Sequence, residues 1–324
     1  MQERIIILDF GSQFTQLIAR RVRETGVYSE IYPCTESPEK IKAMNPCGLI
    51  LSGSHFSVYD DGAPALDPAF LSFTLADGSP VPVLGICYGL QAMAYSLDGA
   101  VEQAERREFG RAALIVNDET DLLAGVSSGA TVWMSHGDHI TNLPSGFDII
   151  AHTENAPVAA VKHDAKPHYG VQFHPEVVHT VPGKQIIENF VLNICGASGN
   201  WSSRSFIDDK KQEIRETVGD QHVILGLSGG VDSSVAAVLL QEALGDQLTC
   251  IFVNNGLLRK GEWEEVQNTF RGAFNINLRA VDATDIFLDR LAGVEDPERK
   301  RVIIGNTFVE VLSRRLKKLA KRSA

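Results

Sequence analysis

From Arg4 onward, short aliphatic runs alternate with segments of helical period, and that alternation most constrains what the chain can fold into. Ile5–Leu8, Val27–Tyr32, Gly48–Leu51 and Val81–Ile86 read as strands, and Gln13–Thr25, Ser37–Ala43, Pro68–Ala76 and Tyr88–Leu97 as helices. Strands that are apolar throughout are buried on both faces, so an α/β fold follows, with a parallel sheet covered by helices. Gly26 stands where a helix C-cap is needed. From Arg111 to Gln172 the runs shorten and alternate: Ala112–Val116, Thr131–Met134, Ile149–His152, Ala159–Lys162 and Gly170–Phe173. That predicts a more antiparallel continuation of one mixed central sheet flanked by helices, closed by a helix over Gly183–Cys195.

At roughly 150 residues per domain, 324 residues allow about two domains. The periodicity breaks at Gly196–Ser203, a stretch rich in small and polar residues, which places a first domain at 1–198, a linker at 199–205 and a second domain at 206–324. The second domain reads as helix Phe206–Val218, strand Val223–Leu227, helix Val231–Leu244, strand Leu248–Val253, helix Gly261–Ala273 and strand Ile276–Val281. This is again β-α-β winding, a partial doubly wound parallel sheet. Pro297–Ala320 is one long helical pattern running into Arg314, Arg315, Lys317, Lys318, Lys321 and Arg322. Cations there complement the helix dipole and read as a solvated helix end.

Charge and cysteine content narrow the partners. Thirty Lys and Arg stand against 41 Asp and Glu, and a net charge of -11 opposes a phosphate-backbone footprint, so nucleic acid is not an expected partner. No run approaches roughly eighteen apolar residues, and acids flank the first one, so neither a membrane span nor a signal peptide is expected. The cysteines Cys34, Cys47, Cys87, Cys195 and Cys250 are odd in number, scattered and without a C-x-x-C pair, which fits a reducing cytoplasm.

Two constellations carry chemistry. Cys87 sits in a G-x-C-x-G frame, Gly85 to Gly89, between an expected strand and helix. A sharp strand-to-helix turn exposes the sulfur at a helix N-terminus, where partial positive charge favours the anionic nucleophile. A buried structural cysteine with packing glycines is the plainer alternative. His174-Pro175-Glu176, at the end of the last expected strand, supplies a base and its orienter, although a lone strand-end histidine is more often structural. Together the three residue types make a nucleophile, base and orienter within one domain. In the second domain Ser228-Gly229-Gly230-Val231-Asp232-Ser233-Ser234 joins a strand to a helix, so its amide groups and hydroxyls can cradle phosphate oxygens. It is not a Walker A loop, because no lysine follows, and a capped glycine turn is the alternative.

The first constellation resembles the class I, or triad, glutamine amidotransferases through Ile7–Gln13, Gly85–Gln91, Trp133–Asp138 and Gly170–Glu176, over about residues 4–195. The resemblance implies that Cys87 attacks the glutamine side-chain amide, His174 protonates the departing ammonia and Glu176 orients His174. It implies further that Gln91, Ser135 and His136 hold the substrate's amino-acid end, and that the oxyanion loop and the Tyr88 amide stabilise the developing charge. That loop departs from the family's S-G-G-P: here it reads Ser52-Gly53-Ser54-His55, so a backbone conformation that needs glycine at position 54 would impair turnover.

The second constellation resembles the pyrophosphate loop of N-type ATP pyrophosphatases, which cleave ATP between the α and β phosphates while adenylylating a substrate. Residues 228–234 are the expected ATP contacts, with Asp232 as magnesium ligand. Phe252–Arg259 resembles that family's adenine-side strand and loop, with Asn254 in place of an acid. NAD synthetases and tRNA-thiolating proteins share the loop, but their usual architectures lack a glutaminase of this kind in front. The fusion, with Asp296–Asn306, resembles the glutamine-hydrolysing GMP synthase family of ligases in purine biosynthesis, whose substrates are glutamine, ATP and xanthosine monophosphate (XMP). Members of that family continue past the position of Ala324 and dimerise through a C-terminal domain, so this chain is expected to be an N-terminal part, glutaminase-competent at most. A non-catalytic chain that binds a partner through a glutaminase fold is the alternative.

Overall fold

The computed structural model describes residues 3–320, which divide into two compact units between Ser202 and Ser203. In the first unit β1 (Arg4–Asp9), α1 (Thr15–Glu24), β2 (Tyr28–Pro33), α2 (Pro38–Ala43), β3 (Gly48–Leu51), β4 (Val83–Ile86) and α3 (Tyr88–Ser96) follow one another. β5 (Ala100–Val116), β6 (Ala130–Asn142), β7 (Phe147–His152), β8 (Ala160–His163) and β9 (His168–Val171) complete the sheet, and α4 (Gly183–Glu188) follows. The strand order is β2-β1-β3-β4-β9-β8-β7-β5-β6. Pairing is parallel from β2 across to β9 and antiparallel from β9 to β6.

Ile5, Ile7, Ile50, Leu84 and Ile86 belong to the core on one face of the sheet, and Ile6, Leu8, Leu49, Leu51 and Val83 to the core on the other. Both faces are therefore covered, which is why these strands read as unbroken apolar runs. Gly26 has φ 78° and its amide bonds Arg23 O, ending α1 as a left-handed residue. The chain leaving the unit passes directly over it: Trp201 N donates to Gly26 O, and a Cβ on Gly26 would lie 2.3 Å from Gly199 O.

Several expected boundaries shift. Pro68–Ala76 is not an α-helix. Asp67 caps a single 3-10 turn, Pro68–Ser72, and Phe73 is already extended. Phe70, Leu71 and Phe73 bury their side chains without a helix, and so short a segment gains too little to offset helix nucleation. Ala112–Val116 and Thr131–Met134 are only parts of β5 and β6, a hairpin far longer than its apolar stretches, because pairing runs past them to Glu108 and, after a register shift, resumes at Gln103 through Ala100. The helix expected over Gly183–Cys195 is α-helical only to Glu188 and widens to a π-turn over Asn189–Ile194. There the Asn189 amide donates to the Leu122 and Ala124 carbonyls, tying the widened turn to a neighbouring loop.

The second unit contains α5 (Ser203–Val218), β10 (Val223–Leu227), α6 (Val231–Leu244), β11 (Leu248–Asn254), α7 (Glu262–Asn268), β12 (Leu278–Asp282), α8 (Thr284–Leu291) and α9 (Pro297–Ala320). β10, β11 and β12 form a parallel sheet in that order, with one small core containing Leu227, Cys250 and Phe252 and another containing Ile251, Val253 and Phe287. α5 begins three residues before the expected helix, and α8 is not among the expected helices. The helix expected over Gly261–Ala273 splits into α7 and a π-turn, Thr269–Ala273. Arg314 pairs with Glu310 on α9; Lys317, Lys318, Lys321 and Arg322 lie outside the residues whose side chains are described. Among the described residues no helix is long and apolar enough to cross a membrane.

Candidate active site

Cys87 occupies the turn between β4 and α3 with φ 53° and ψ -108°, a backbone conformation that costs an L-residue about 1–3 kcal/mol. Its amide is tied to Val171 O at 2.7 Å, so β9 fixes the turn from the side. The two flanking glycines have steric reasons to be glycine. A Cβ on Gly85 would lie 2.6 Å from Leu90 N, and one on Gly89 would lie 2.3 Å from Leu51 O. α3 thus presses directly onto β4 and β3, and the sulfur is held at its N-terminus. The first amides of a helix have no intrahelical acceptor, so the Tyr88 N–H at position N1 is free to serve a developing negative charge. The Tyr88 hydroxyl is anchored elsewhere, on Pro64 O.

His174 lies in the loop that leaves β9. Its amide donates to Trp133 O at 3.0 Å, its carbonyl accepts from Thr180 Oγ1 at 2.6 Å, and Thr180 Oγ1 in turn accepts from Trp133 N. Nδ1 meets Glu176 Oε1 at 2.8 Å, and Phe14 packs edge-on against the ring. Glu176 is fully buried; among the described residues its Oε2 has no hydrogen-bond partner, so the His174 contact is the one that compensates this carboxylate. Burial opposes a charge on His174, but hydrogen bonds with Cys87 and Glu176 outweigh it and push the imidazole up from 6.5 to about 10. A histidine raised in this way contributes stability that is fully present below pH 6.5 and lost as pH rises through about 10. Thermal unfolding of the native chain and of Glu176→Gln at pH 7 and pH 10 should therefore show the native chain losing stability relative to the variant as pH rises. A gap that does not change with pH would mean that this proton is not linked to Glu176.

Burial pushes the thiols of Cys34 and Cys195 up, and those of Cys47 and Cys250 to about 11. None of these four lines the cavity beside Cys87. That cavity, about 670 Å³, is walled by Gly11–Phe14, Ser54–Ser57, Cys87, Tyr88, Gln91, Ser135–Asp138 and His174, with Phe109 at 65% exposure. It brings together the first-domain residues singled out in the sequence, apart from Glu176, which stands behind His174. Gly53, in the expected oxyanion loop, lies closer to the reactive pair than the sequence alone indicated. A Cβ there would lie 3.3 Å from His174 Cε1 and 3.8 Å from Cys87 Cβ, so its backbone runs directly beside the reactive pair.

Ser54 keeps a negative φ and its hydroxyl accepts from Phe56 N. The position does not require glycine, and Ser54→Gly is expected to change glutamine turnover by less than about threefold, far from the 10²–10³ of a displaced oxyanion donor. A rise of tenfold or more in glutamate release would show that the serine distorts the loop.

Gln91 donates from Nε2 to Asp138 O at 2.9 Å and to Gln172 Oε1 at 3.2 Å, so this nitrogen is committed to the protein while the side chain borders the cavity. His136 donates from Nδ1 to Asp138 O, and burial lowers its imidazole below the ordinary range, which keeps it neutral at pH 7. Its Nε2 faces Glu108 at 3.7 Å.

In the second unit the 228–234 loop joins β10 to α6. Gly229 has φ 80°, and Ser233 and Ser234 both donate to Gly230 O. Ser228 and Ser233 share a hydrogen bond at 2.8 Å, so the hydroxyls are grouped over the start of α6, with Asp232 in its first turn. A Cβ on Gly229 would lie 3.1 Å from Glu262 Oε1, which brings a carboxylate to the loop that its sequence neighbours do not reveal. The Asn254 side chain accepts from Gly256 N and shapes the loop after β11. Among the described residues no three His, Cys, Asp or Glu side chains gather as a metal cage.

Comparison with known proteins agrees with this division. The family model described as glutamine amidotransferase class-I matches residues 6–194, and that described as NAD synthase matches residues 204–306. Curated glutamine-hydrolyzing GMP synthases from Bacillus cereus and Brachyspira hyodysenteriae are 53% and 52% identical to this chain over 98% of its length. The chain spans about 60% of the length of these curated relatives. The crystal structure of a putative GMP synthase subunit from Thermoplasma acidophilum is similar over 65% of this chain and 98% of its own, with 31% identity and a TM-score of 0.54.

Proposed function

Because this chain belongs to the class I glutamine amidotransferase family, we propose that its first unit hydrolyses glutamine with Cys87 as nucleophile, His174 as acid and base, and Glu176 as orienter. The observation that carries this is the conjunction at Cys87: a strained turn holds the sulfur at the start of α3, facing a cavity in which a glutamate-bound histidine stands beside it. The sulfur adds to the side-chain carbonyl carbon of glutamine. The resulting oxyanion is met by the Tyr88 amide and by the backbone at Gly53 and Ser54. His174 gives its proton to the nitrogen, the C–N bond breaks and ammonia leaves. Water, deprotonated by the same imidazole, then adds to the thioester; the C–S bond breaks and glutamate departs. Gln91, Ser135 and His136 border the space left for the substrate's amino-acid end.

The second unit is proposed to bind ATP, with the 228–234 loop against its phosphates and residues 206–324 as part of an ATP pyrophosphatase domain. Asp232 is the residue that would hold magnesium. Mg²⁺ is usually held by one or two carboxylates plus phosphate oxygens, so the exposed Asp232 at the loop fits it better than it would fit a metal held by protein alone. Bound there, the ion supplies charge neutralisation for the phosphates. The whole-protein reaction proposed is GMP formation from XMP, ATP and glutamine-derived ammonia, in the cytoplasm, with homodimers as the assembly and no nucleic-acid or membrane partner. The glutaminase reading is tested by glutamate release from glutamine, together with peptide mapping after treatment with a glutamine analogue carrying an electrophile at the amide carbon. Labelling on Cys87 alone is expected; labelling at Cys34, Cys47, Cys195 or Cys250, or no glutamate, would leave a glutaminase fold that binds without catalysis.

A further inference from the structure

We infer that Gln172 is a catalytic residue of this site, donating an amide N–H to the Cys87 sulfur and held in that orientation by Gln91. Gln172 directly follows β9 and is fully buried, with its own amide bonded to Ala159 O. Its Nε2 lies 3.6 Å from Cys87 Sγ, and its Oε1 lies 3.2 Å from Gln91 Nε2. The two ends of a glutamine amide have nearly the same shape, so the direction of such a chain has to be argued. Here it is fixed from the far end. Asp138 O is a backbone carbonyl and can only accept, so the Gln91 atom 2.9 Å from it is the amino group. The Gln172 atom facing that amino group must then be the carbonyl, and the atom left to face the sulfur is a donor. Three elements, β6, α3 and the end of β9, therefore impose one polarity on the relay.

The other neighbours of the sulfur show what this donor is for. Ser135 O lies 3.7 Å away and can accept only from a protonated thiol, so it favours the unreactive form. His174, backed by Glu176, and the start of α3 favour the anion. Gln172 adds a neutral donor on this second side, and hydrogen bonds to an ionised acceptor are about twice as strong as those between neutral groups. Gln172 does not border the cavity, so its effect falls on the nucleophile and not on substrate contacts.

The inference takes from the proposed function only the identity of the nucleophile, and its primary test needs no glutamine. Alkylation of Cys87 by iodoacetamide, followed by mass spectrometry of the Cys87 peptide from pH 5 to 9, is compared in the native chain and Gln172→Met. About tenfold slower alkylation of the variant is expected at the acidic end, the loss of one hydrogen bond to a charged acceptor. If glutaminase activity is present, kcat should fall with KM nearly unchanged. A folded Gln172→Met chain with the native alkylation profile would overturn the inference. Should that variant unfold, Gln172→Glu keeps the shape and replaces the donor with a carboxylate; its acidic-end rate must fall further still, and an unchanged profile there would overturn it equally. Alkylation that responds as expected in a chain that releases no glutamate would sustain the Gln172 contact and reject the glutaminase reading.

Discussion

A Cys87→Ala chain should release glutamate from glutamine about 10⁴- to 10⁶-fold more slowly than the native chain, at or near the solution background. The magnitude follows from how such sets of residues behave: nucleophile and base act as one unit, so removing the nucleophile forfeits nearly all of their joint effect, and only binding and oxyanion stabilisation remain. Here burial raises the other four thiols and none of them lines the cavity, so none can take over. Alanine also keeps the turn, because the backbone there is held through Val171 O rather than through the side chain. His174→Ala should fall in the same range and Glu176→Gln by less, since Trp133 and Thr180 continue to fix the His174 backbone. The measurement is initial-rate glutamate production, with unfolding curves run alongside. Residual activity above one per cent in Cys87→Ala would move the chemistry to another group.

Gly89→Ala should lower thermal stability by about 4–8 °C. Alanine in a helix gains about 1 kcal/mol over glycine. Against this, the new methyl would sit 2.3 Å from Leu51 O and 2.7 Å from Leu51 C, backbone atoms in a strand buried on both faces. Neither side can yield locally, so the overpacking cost belongs at the upper end of its usual range, about 3 kcal/mol, and it prevails. A net loss of about 2 kcal/mol corresponds to that shift in a domain of this size. Because Gly53 follows Leu51 by two residues and Cys87 precedes Gly89 by two, a displaced contact would shift both, and glutaminase activity should fall more than the loss of folded protein explains. Calorimetry decides it: an unchanged or higher melting temperature would show that α3 does not rest on β3 as described.

The parts of this molecule that were legible in its sequence are those governed by local rules. β1, β3 and β11 are apolar because both faces are covered, and the turn at Cys87 is marked by glycines that close packing demands. Cys87, His174 and Glu176, the proposed triad, stand out in the sequence only as residue types at a spacing. What escaped depends on partners far along the chain. Gln172 gains its meaning only when α3 and β6 close over it, and Gly53 only when β3 and β4 pair. β5 runs through charged residues that carry no apolar alternation, so the pattern gave two short strands where pairing makes a long hairpin. The π-turns after α4 and α7 have no compositional mark, because a widened turn is set by what a neighbour grips, as the Leu122 and Ala124 carbonyls grip Asn189.

The left-handed backbone at Cys87 means that this protein keeps a cysteine, the proposed nucleophile, at the expense of its own robustness. A glycine there would relax the turn, and the fold would lose nothing it needs in order to stand. Random drift under selection for durability alone would therefore erase the cysteine, and a chain bred only for heat resistance would tend toward a sturdier, inert shell.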